Sequence, residues 1–152
     1  EFMLKGADDT LPGVPEQRLI LEYFSRAMNC LCIVATRPAR HLGREPILGS
    51  LTLTPGRTSR TQHCVQLGMG VIREAWGLGV GGHLLDHTLT WTRRNPILSR
   101  VSLQVYEDNE PARQLYLSRG FLEEGVMPDE VRLGRNWTAL VGMAYDASGP
   151  SE

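Results

Sequence analysis

The chain has 152 residues, a formal net charge of −1, and 41% hydrophobic and 22% charged residues. This composition is typical of a folded domain with its own core and excludes an extensively disordered chain. The small net charge favours neither nucleic acid nor an anionic membrane as a partner, and no apolar run approaches the roughly 18 residues of a membrane span. Because the N-terminus has no basic-then-apolar signal pattern, we expect a cytoplasmic protein.

Three cysteines are present, Cys30, Cys32 and Cys64, and none of them stands in a CxxC pair. An odd number with this spacing favours reduced thiols over a disulfide framework or a zinc site. His83 and His87 are spaced i, i+4 as metal ligands can be, but no Glu follows His83 and no third ligand is evident. We therefore predict a protein without a bound metal.

Residues 1–14 are rich in Gly, Asp and Pro and predict an irregular arm. From Pro15 to Met28 the apolar residues recur at helical spacing, and Pro15 suits the first turn of a helix. Three apolar runs follow, which predict strands at residues 30–36, 47–54 and 63–72. The third run contains Gly68 and Gly70, and glycine inside a strand marks a bulge or a close approach of the backbone to a ligand.

The second half of the chain alternates helices and strands. An amphipathic helix is predicted over residues 80–94 and ends at Asn95-Pro96. The next predicted elements are a strand at 100–106, a short helix at 110–119 with Gly120 as its C-cap, and a strand that opens at 121–124. A β-rich pair at 131–134 and 137–145 surrounds the turn Gly134-Arg135-Asn136, and residues 147–152 predict a flexible tail.

The predicted order of elements is α–β–β–β–α–β–α–β–β, with no internal repeat and no second domain. We therefore predict a single domain over residues 1–146, of the α+β or mixed α/β class. Its sheet is largely antiparallel, and one parallel βαβ crossover spans residues 65–106.

Four glycines stand within six residues at the start of the helix predicted for 80–94: Gly77, Gly79, Gly81 and Gly82. Residues 77–82, the glycine loop, thus lead from a strand into a helix. Glycines let a backbone approach a ligand closely, and the free N–H groups and the dipole of a helix start favour an anion. The sequence therefore predicts a phosphate-binding site at the glycine loop.

Gly77, Gly79 and Gly82 also satisfy the GxGxxG pattern of dinucleotide-binding folds, and Glu107 stands about 25 residues beyond, near the place of a ribose-binding acid. Against a dinucleotide fold, residues 73–76 separate the glycines from the strand and other elements precede them. The chain after Glu107 also has room for only one short helix and a β pair. A P-loop is excluded because no Gly-Lys-Ser/Thr follows the glycines.

A second pattern distinguishes these possibilities. Residues 105–121 have the sequence VYEDNEPARQLYLSRGF, which fills every slot of N-x-x-A-x-x-L-Y-x-x-x-G-F with Asn109, Ala112, Leu115, Tyr116, Gly120 and Phe121. Together with WGLGVGGHLL before it, the chain resembles the GNAT superfamily of N-acetyltransferases over residues 30–146. The family's loop pattern Q/R-x-x-G-x-G/A falls on residues 76–81, with Trp76 in the Q/R slot. Two spaced motifs in the correct order are more specific than a lone GxGxxG.

The resemblance implies a central, twisted, mostly antiparallel sheet with one parallel βαβ crossover and helices on both faces. It also implies that the family's first strand is missing here or reduced to a remnant at residues 2–5. A missing strand would leave a sheet edge for a partner chain, so we predict a homodimer.

The implied co-substrate is acetyl-coenzyme A, with no metal. Its implied binding residues are Met69, Gly70, Val71, Trp76, Gly77, Leu78, Gly79, Val80, Gly81, Gly82, Asn109, Arg113 and Tyr116. In this scheme the glycine loop holds the pyrophosphate, and Met69 to Val71 pair like a strand with the pantetheine arm and polarise the thioester carbonyl. Asn109 hydrogen-bonds the arm, and Tyr116 is the catalytic residue that protonates the departing sulfur.

The proton acceptor stays open at this stage. Where some members of the family carry a glutamate base, this chain has Gln104, and Gln66 occupies another strand position that would suit a carboxylate. Neither amide can act as a base. His63, Glu74, Glu107 or an ordered water are the alternatives, and an acceptor amine of low pKa would need no strong base.

The ending RLGRNWTALVGMA resembles the GNAT branches that acetylate small amines, amino-acid derivatives or protein N-termini. We therefore expect direct attack by a primary amine of a small molecule or peptide, with neither nucleic acid nor membrane as partner. Two alternatives stay open: a non-catalytic acyl-CoA-binding module and, less favoured, an NAD(P)-binding domain.

Overall fold

The computed structural model describes residues 14–38, 45–133 and 135–148. Its elements are α1 (Val14–Arg26), β1 (Leu31–Thr36), β2 (Ile47–Pro55), β3 (Cys64–Val71), a 3₁₀ turn (Arg73–Ala75), α2 (Val80–Arg94), β4 (Arg100–Tyr106), α3 (Glu110–Leu117), β5 (Leu122–Leu133) and β6 (Asn136–Asp146). The predicted arm, apart from Val14, and the predicted strand remnant at residues 2–5 lie outside the described residues.

The strands of the described ranges form one six-stranded sheet in the order β1-β2-β3-β4-β6-β5. Every neighbouring pair is antiparallel except β3 with β4, which α2 connects as a crossover. This confirms the predicted mixed α/β class and its one parallel pair. In the described part of the sheet β1 and β5 are the edge strands, and the homodimer that would cover an edge stays a prediction.

One face of the sheet carries the hydrophobic core. Strand side chains alternate between faces, so every second residue of β2, β3, β4 and β6 points into it. The strand members of this core are Leu51, Leu53, Val65, Leu67, Val101, Leu103, Val105, Val141 and Met143. Leu84, Leu85 and Leu89 of α2 and Tyr116 of α3 close over them. The core therefore fixes α2 and α3 on the same face of the sheet.

Backbone chemistry sets both ends of α2. Gly79 precedes the helix with a left-handed φ of 79°, a conformation that glycine adopts without strain. At the other end Asn95 has an extended ψ of 121° before Pro96, which disfavours a helical residue ahead of it. The predicted bounds of 80–94 are therefore confirmed.

The C-terminal elements differ from the prediction. The segments predicted at 121–124 and 131–134 overlap one strand, β5 (Leu122–Leu133), whose register with β6 shifts twice, between Glu123 and Gly125 and between Met127 and Val131. Asp129 lies inside the second shift with a φ of 54°. Such irregularities interrupt the alternation of side chains, so the sequence resembles two short strands.

Two element boundaries also differ from the prediction. The C-cap of α3 is Ser118, whereas Gly120, predicted as the cap, adopts a left-handed φ of 88° just after the helix. Ala147, which the prediction assigned to the tail, is buried and donates its N–H to Ser99 O at 2.9 Å. The turn residue Gly134 and residues 149–152 lie outside the described residues. Across the described ranges, no helix combines the length and apolarity needed to cross a membrane.

Candidate active site

The sheet opens between β3 and β4. The two strands form a parallel pair only from Cys64–Arg100 to Gln66–Ser102, after which β3 stays paired with β2 and β4 with β6. Beyond the Gln66–Ser102 pair, no strand of the described ranges pairs with the facing edges of β3 and β4. We call this opening the β3–β4 gap. The end of β3 leads from the gap to the glycine loop, and the end of β4 leads to α3.

The hydrogen bonds to β2 indicate which backbone groups of β3 face the gap. Ile72 N donates to Leu48 O at 2.9 Å. Because bonded and non-bonded pairs alternate along an antiparallel ladder, Gly70 also directs its N–H and C=O at β2. The corresponding groups of Met69 and Val71 therefore point into the gap. Of the three strand residues predicted to contact the co-substrate, Met69 and Val71 direct backbone groups into the gap, and Gly70 directs its own at β2.

Trp76 takes one of these backbone acceptors. Its indole Nε1 donates to Val71 O at 2.9 Å, while 54% of the side chain stays exposed. The bond closes the segment between β3 and the glycine loop, which also contains the 3₁₀ turn at residues 73–75. Trp76 therefore holds the glycine loop against the end of β3 and leaves Met69 N, Met69 O and Val71 N facing the gap.

The glycine loop leaves the start of α2 open. No side chain caps this end of the helix, and no acidic residue stands in its first turn. Gly77 and Gly79 have left-handed φ values of 74° and 79°. An ideal Cβ built on Gly77 would meet no atom within 4 Å. The first N–H groups of α2 therefore face outward, as an anion would require.

Arg119 places a guanidinium, ion-paired with Asp86, beside the first turn of α2. An ideal Cβ on Gly82 would lie only 2.8 Å from Arg119 Nη2, so the guanidinium packs directly on that glycine. Arg119 Nε donates to Asp86 Oδ1 at 3.2 Å, and Nη1 donates to Ser118 Oγ at 2.8 Å. This contact could not be predicted from the sequence, because no periodicity links residues 82 and 119 and only the packing of the α3 region on α2 brings them together.

Asn109 stands at the gap end of α3. Its Oδ1 accepts a hydrogen bond from Ala112 N at 3.3 Å, so it caps the helix. Within the described part of the chain, its Nδ2 group has no hydrogen-bond partner. The cap uses the oxygen alone, and the nitrogen can donate to a carbonyl brought into the gap.

Tyr116 is a buried phenol, 6% exposed, on the core face of α3. Its ring packs against Phe121 with centroids 5.5 Å apart. Burial raises the pKa of Tyr116 to about 12. The hydroxyl therefore keeps its proton throughout the physiological range, and no described residue accepts a hydrogen bond from it.

Arg113, expected to reach the co-substrate, makes four hydrogen bonds with its own neighbourhood, one of them from Nη1 to Glu110 Oε2 at 3.4 Å. Its Nε and Nη2 donate to Glu123 Oε1 at 3.0 and 2.8 Å, and Nη1 donates to Glu107 O at 3.0 Å. These bonds tie α3 to β5 and to the end of β4. A contact with the co-substrate stays a prediction, and Arg113 would have to give up some of these bonds to make it.

The opposite face of the sheet carries a cavity of about 290 Å³ beside the last β3–β4 pair. We call it the rear cavity. Its polar and thioether side chains are Gln66, Ser102, Gln104, Glu124 and Met127. Glu124 forms an ion pair with Arg100, whose hydrogen bond lowers the pKa of that carboxyl. None of the three side chains proposed as bases, His63, Glu74 and Glu107, lines the rear cavity.

The described ranges contain no group of three or more His, Cys, Asp or Glu side chains that could hold a metal ion. His83 instead hydrogen-bonds Gly79 O through Nδ1 at 2.8 Å. Cys30, Cys32 and Cys64 are free thiols.

The structure places the glycine loop after one strand of the gap and the helix with Asn109 and Tyr116 after the other, so it brings together the two motifs that resemble the GNAT superfamily. The profile of the Acetyltransferase (GNAT) family matches residues 6–121 of this chain. The chain therefore belongs to the GNAT family, which uses acetyl-coenzyme A.

Individual acetyltransferases are similar to this chain in sequence or in fold. Over 57 residues the chain is 40% identical to the 5-NmdU N-acetyltransferase of Pseudomonas phage PaMx11, and this match spans 38% of each chain. The GNAT acetyltransferase of Streptococcus pneumoniae superposes with a TM-score of 0.86 at 23% identity, covering 96% of this chain and 83% of that one. The structure of yncA from Salmonella typhimurium with its cofactor acetyl-CoA superposes with a TM-score of 0.76 at 18% identity, covering 95% and 79%. The two structures show a shared fold.

The residues around the gap fit this co-substrate. The uncapped start of α2 and its glycines suit a pyrophosphate. The backbone groups of Met69 and Val71 suit an amide-containing arm that lies in the gap as an added strand would.

Trp76→Phe tests how the glycine loop is held. We expect the free energy of unfolding to fall by about 1 kcal/mol, because Val71 O loses its hydrogen-bond donor while the aromatic ring is kept. Urea unfolding measures this, and calorimetry should show weaker binding of acetyl-coenzyme A. Trp137→Phe is the matched control, since that exposed indole lies far along the chain, beside Arg132. Equal unfolding and equal affinity in the two variants would contradict the role given to Trp76.

Proposed function

We propose that the protein is an N-acetyltransferase that moves the acetyl group of acetyl-coenzyme A to a primary amine by direct attack. The acceptor is a small molecule, an amino-acid derivative or a protein N-terminus. The observation that carries this proposal is the β3–β4 gap, which lies between the glycine loop at the end of one strand and Asn109 and Tyr116 beyond the end of the other. Membership of the GNAT family supports it, and so does the N-acetyltransferase activity named for the phage relative.

The chain's own groups then have distinct tasks. The first N–H groups of α2 bind the pyrophosphate, and the Arg119 guanidinium adds positive charge beside them. Met69 and Val71 align the pantetheine arm through their backbone groups, and Asn109 Nδ2 donates to one of its carbonyls. Bound acetyl-coenzyme A supplies the acetyl group as a thioester. A backbone N–H of β3 in the gap would polarise the thioester carbonyl, a kind of donor worth about 3 kcal/mol in acyl-transfer sites.

Tyr116 provides the proton for the departing sulfur. With a pKa of about 12 it holds that proton firmly, so transfer depends on a thiolate that develops within hydrogen-bond distance. The amine must arrive neutral. The carboxyl beside the gap, Glu124, is paired with Arg100 and its pKa is lowered, so it is a poor base. We therefore propose that the acceptor's proton leaves through water in the open rear cavity.

A turnover assay tests the function. Purified protein and acetyl-coenzyme A are incubated with a panel of primary amines, including 5-NmdU, and products are identified by mass spectrometry together with the free thiol released. We expect one class of amine to gain an acetyl group. Tight coenzyme A binding without turnover would favour the acyl-CoA-binding module instead. A melting temperature that rises with NAD(H) and not with coenzyme A would favour the dinucleotide-binding domain.

Tyr116→Phe separates chemistry from binding. We expect kcat to fall about 100-fold or more, because a positioned general acid contributes at least that much. The dissociation constant for acetyl-coenzyme A should stay within about twofold, since the ring and its packing are kept. In the wild-type protein kcat should not decline between about pH 7 and 10 through this residue, because burial raises the pKa of Tyr116 to about 12.

Tyr145→Phe is the control for Tyr116→Phe, since its ring packs on the other side of Phe121 with centroids 5.5 Å apart. It should leave kcat unchanged. If both variants, or neither, lose activity, Tyr116 is not the acid.

Arg119→Gln tests the charge beside the glycine loop. We expect the dissociation constant for coenzyme A to rise about fivefold, roughly 1 kcal/mol, with a weaker dependence on salt because one phosphate-facing cation is lost. Calorimetry at two salt concentrations measures both effects. Comparing coenzyme A with its 3′-dephospho form identifies which phosphate Arg119 meets. Arg94→Gln makes the same charge change at the far end of α2 and should bind as the wild type does.

Gly82→Ala gives an independent check on Arg119. The new methyl group would stand 2.8 Å from Arg119 Nη2 and should push the guanidinium aside. Gly81→Ala is matched to it, because its methyl group would meet its nearest atom, in Leu115, at an ordinary 3.4 Å. If the two alanine variants bind coenzyme A equally, the guanidinium contributes nothing there.

A further inference from the structure

The rear cavity lies where an acceptor amine would enter. Gln66 and Gln104 alternate along their strands with Leu67 and Leu103, which belong to the core, so the two glutamines point to the opposite face. Gln66 belongs to the last β3–β4 pair, immediately before the gap begins. A molecule in the rear cavity would therefore meet the gap from the face opposite α2 and α3.

The described lining of the rear cavity offers no unpaired charge to an acceptor. Among the described residues that line it, Glu124 is the only charged one, and its carboxylate is already paired with Arg100. A carboxylate on an acceptor would find no free cation in this lining. A second ammonium group would have to compete with Arg100 for Glu124. Neither kind of acceptor gains an unpaired counterion from this lining, whereas an uncharged group needs none.

Two primary amides supply hydrogen bonds instead. Gln104 Nε2 contacts only Met127 Sδ, at 3.6 Å, and Gln66 has no hydrogen-bond partner within the described residues. Each amide offers one acceptor oxygen and two N–H donors, so each can form a paired contact with a group that has both a donor and an acceptor. Amides and imides are such groups.

The walls of the rear cavity favour a flat ligand. Gly142 lies opposite Gln104 in the sheet and presents no side chain. An ideal Cβ there would lie 3.7 Å from Met127 Cε, so the thioether reaches over Gly142. A thioether packs well against a planar ring.

We propose that the rear cavity binds an acceptor whose primary amine is attached to an uncharged, planar group that carries an amide or imide. Gln66 and Gln104 hydrogen-bond that group, Met127 packs on its plane, and the amine points into the β3–β4 gap. This proposal rests on the proposed acetyltransferase function and narrows its acceptor class.

Three matched acceptors test the proposal: meta-(aminomethyl)benzamide, meta-(aminomethyl)benzoate and meta-xylylenediamine. They share the ring and the reactive aminomethyl group and differ only in an amide, a carboxylate or a second amine. We expect kcat/KM for the amide to exceed that for each of the others about tenfold. Saturation-transfer NMR without acetyl-coenzyme A should detect binding of the amide in preference to the carboxylate.

Gln104→Glu changes the charge of the rear cavity at nearly constant shape. It should reverse the ranking in favour of the diamine, because the new carboxylate attracts the second ammonium group. Gln62→Glu adds the same charge at an exposed position before β3 and should leave the ranking as in the wild type. Thermal melting of both variants shows that they are folded.

The results of these experiments distinguish failure of the acceptor proposal from failure of the acetyltransferase function. If the carboxylate is acetylated as well as the amide, or if Gln104→Glu leaves the ranking unchanged, the acceptor proposal is overturned while the enzyme activity stands. If no amine of any class is acetylated, the acetyltransferase function fails. In that case, preferential NMR binding of the amide would still support the proposed selectivity of the rear cavity. If the amide does not bind in preference to the carboxylate, the proposed selectivity is overturned as well.

Discussion

The short pairing of β3 with β4 is the constraint on which the site depends. The two strands share only the pairs from Cys64–Arg100 to Gln66–Ser102, although each continues beyond them. β3 and β4 can stay apart beyond the last pair because β2 and β6 keep their outer edges hydrogen-bonded along the gap. The inner edges direct backbone donors and acceptors into the gap, and of the groups on β3 only Val71 O is taken by a described side chain, Trp76. An extended ligand with amide groups can satisfy them as a strand would.

The geometry at the end of β3 follows from that separation. With no strand opposite it, Val71 O is available to Trp76 Nε1, and this bond fixes where the glycine loop begins. The uncapped start of α2 is thereby held next to the strand groups that face the gap. The backbone groups of β3 that suit an amide-containing arm thus lie next to the start of α2, which suits a phosphate. In the family pattern this slot holds a polar side chain, whereas here the indole donates to the protein itself. The guanidinium that packs on the first turn of α2 belongs to Arg119, just beyond the end of α3.

Local chemistry explains what could be predicted from the sequence. The bounds of α2 follow from Gly79 before it and Asn95-Pro96 after it, and the core strands follow from alternating apolar residues such as Leu51 and Leu53. β5 was predicted as two pieces because its register shifts interrupt that alternation. Arg119 and Glu124 escaped detection for a different reason. Arg119 contacts Gly82 and Glu124 pairs with Arg100, and both partners are distant in the chain. No local sequence pattern encodes such a contact.

The electrostatics of the rear cavity also limit how the amine can be deprotonated. A carboxylate whose pKa is lowered by Arg100 holds a proton too weakly to draw one from an alkylammonium ion. An alkylamine with the ordinary pKa of about 10.4 is only about 0.1% neutral near pH 7.4. An amine near an electron-withdrawing heterocycle has a lower pKa and a larger neutral fraction. Because the lining of the rear cavity provides no strong base, the acceptor proposed for it should carry an amine whose pKa is low enough for attack without one.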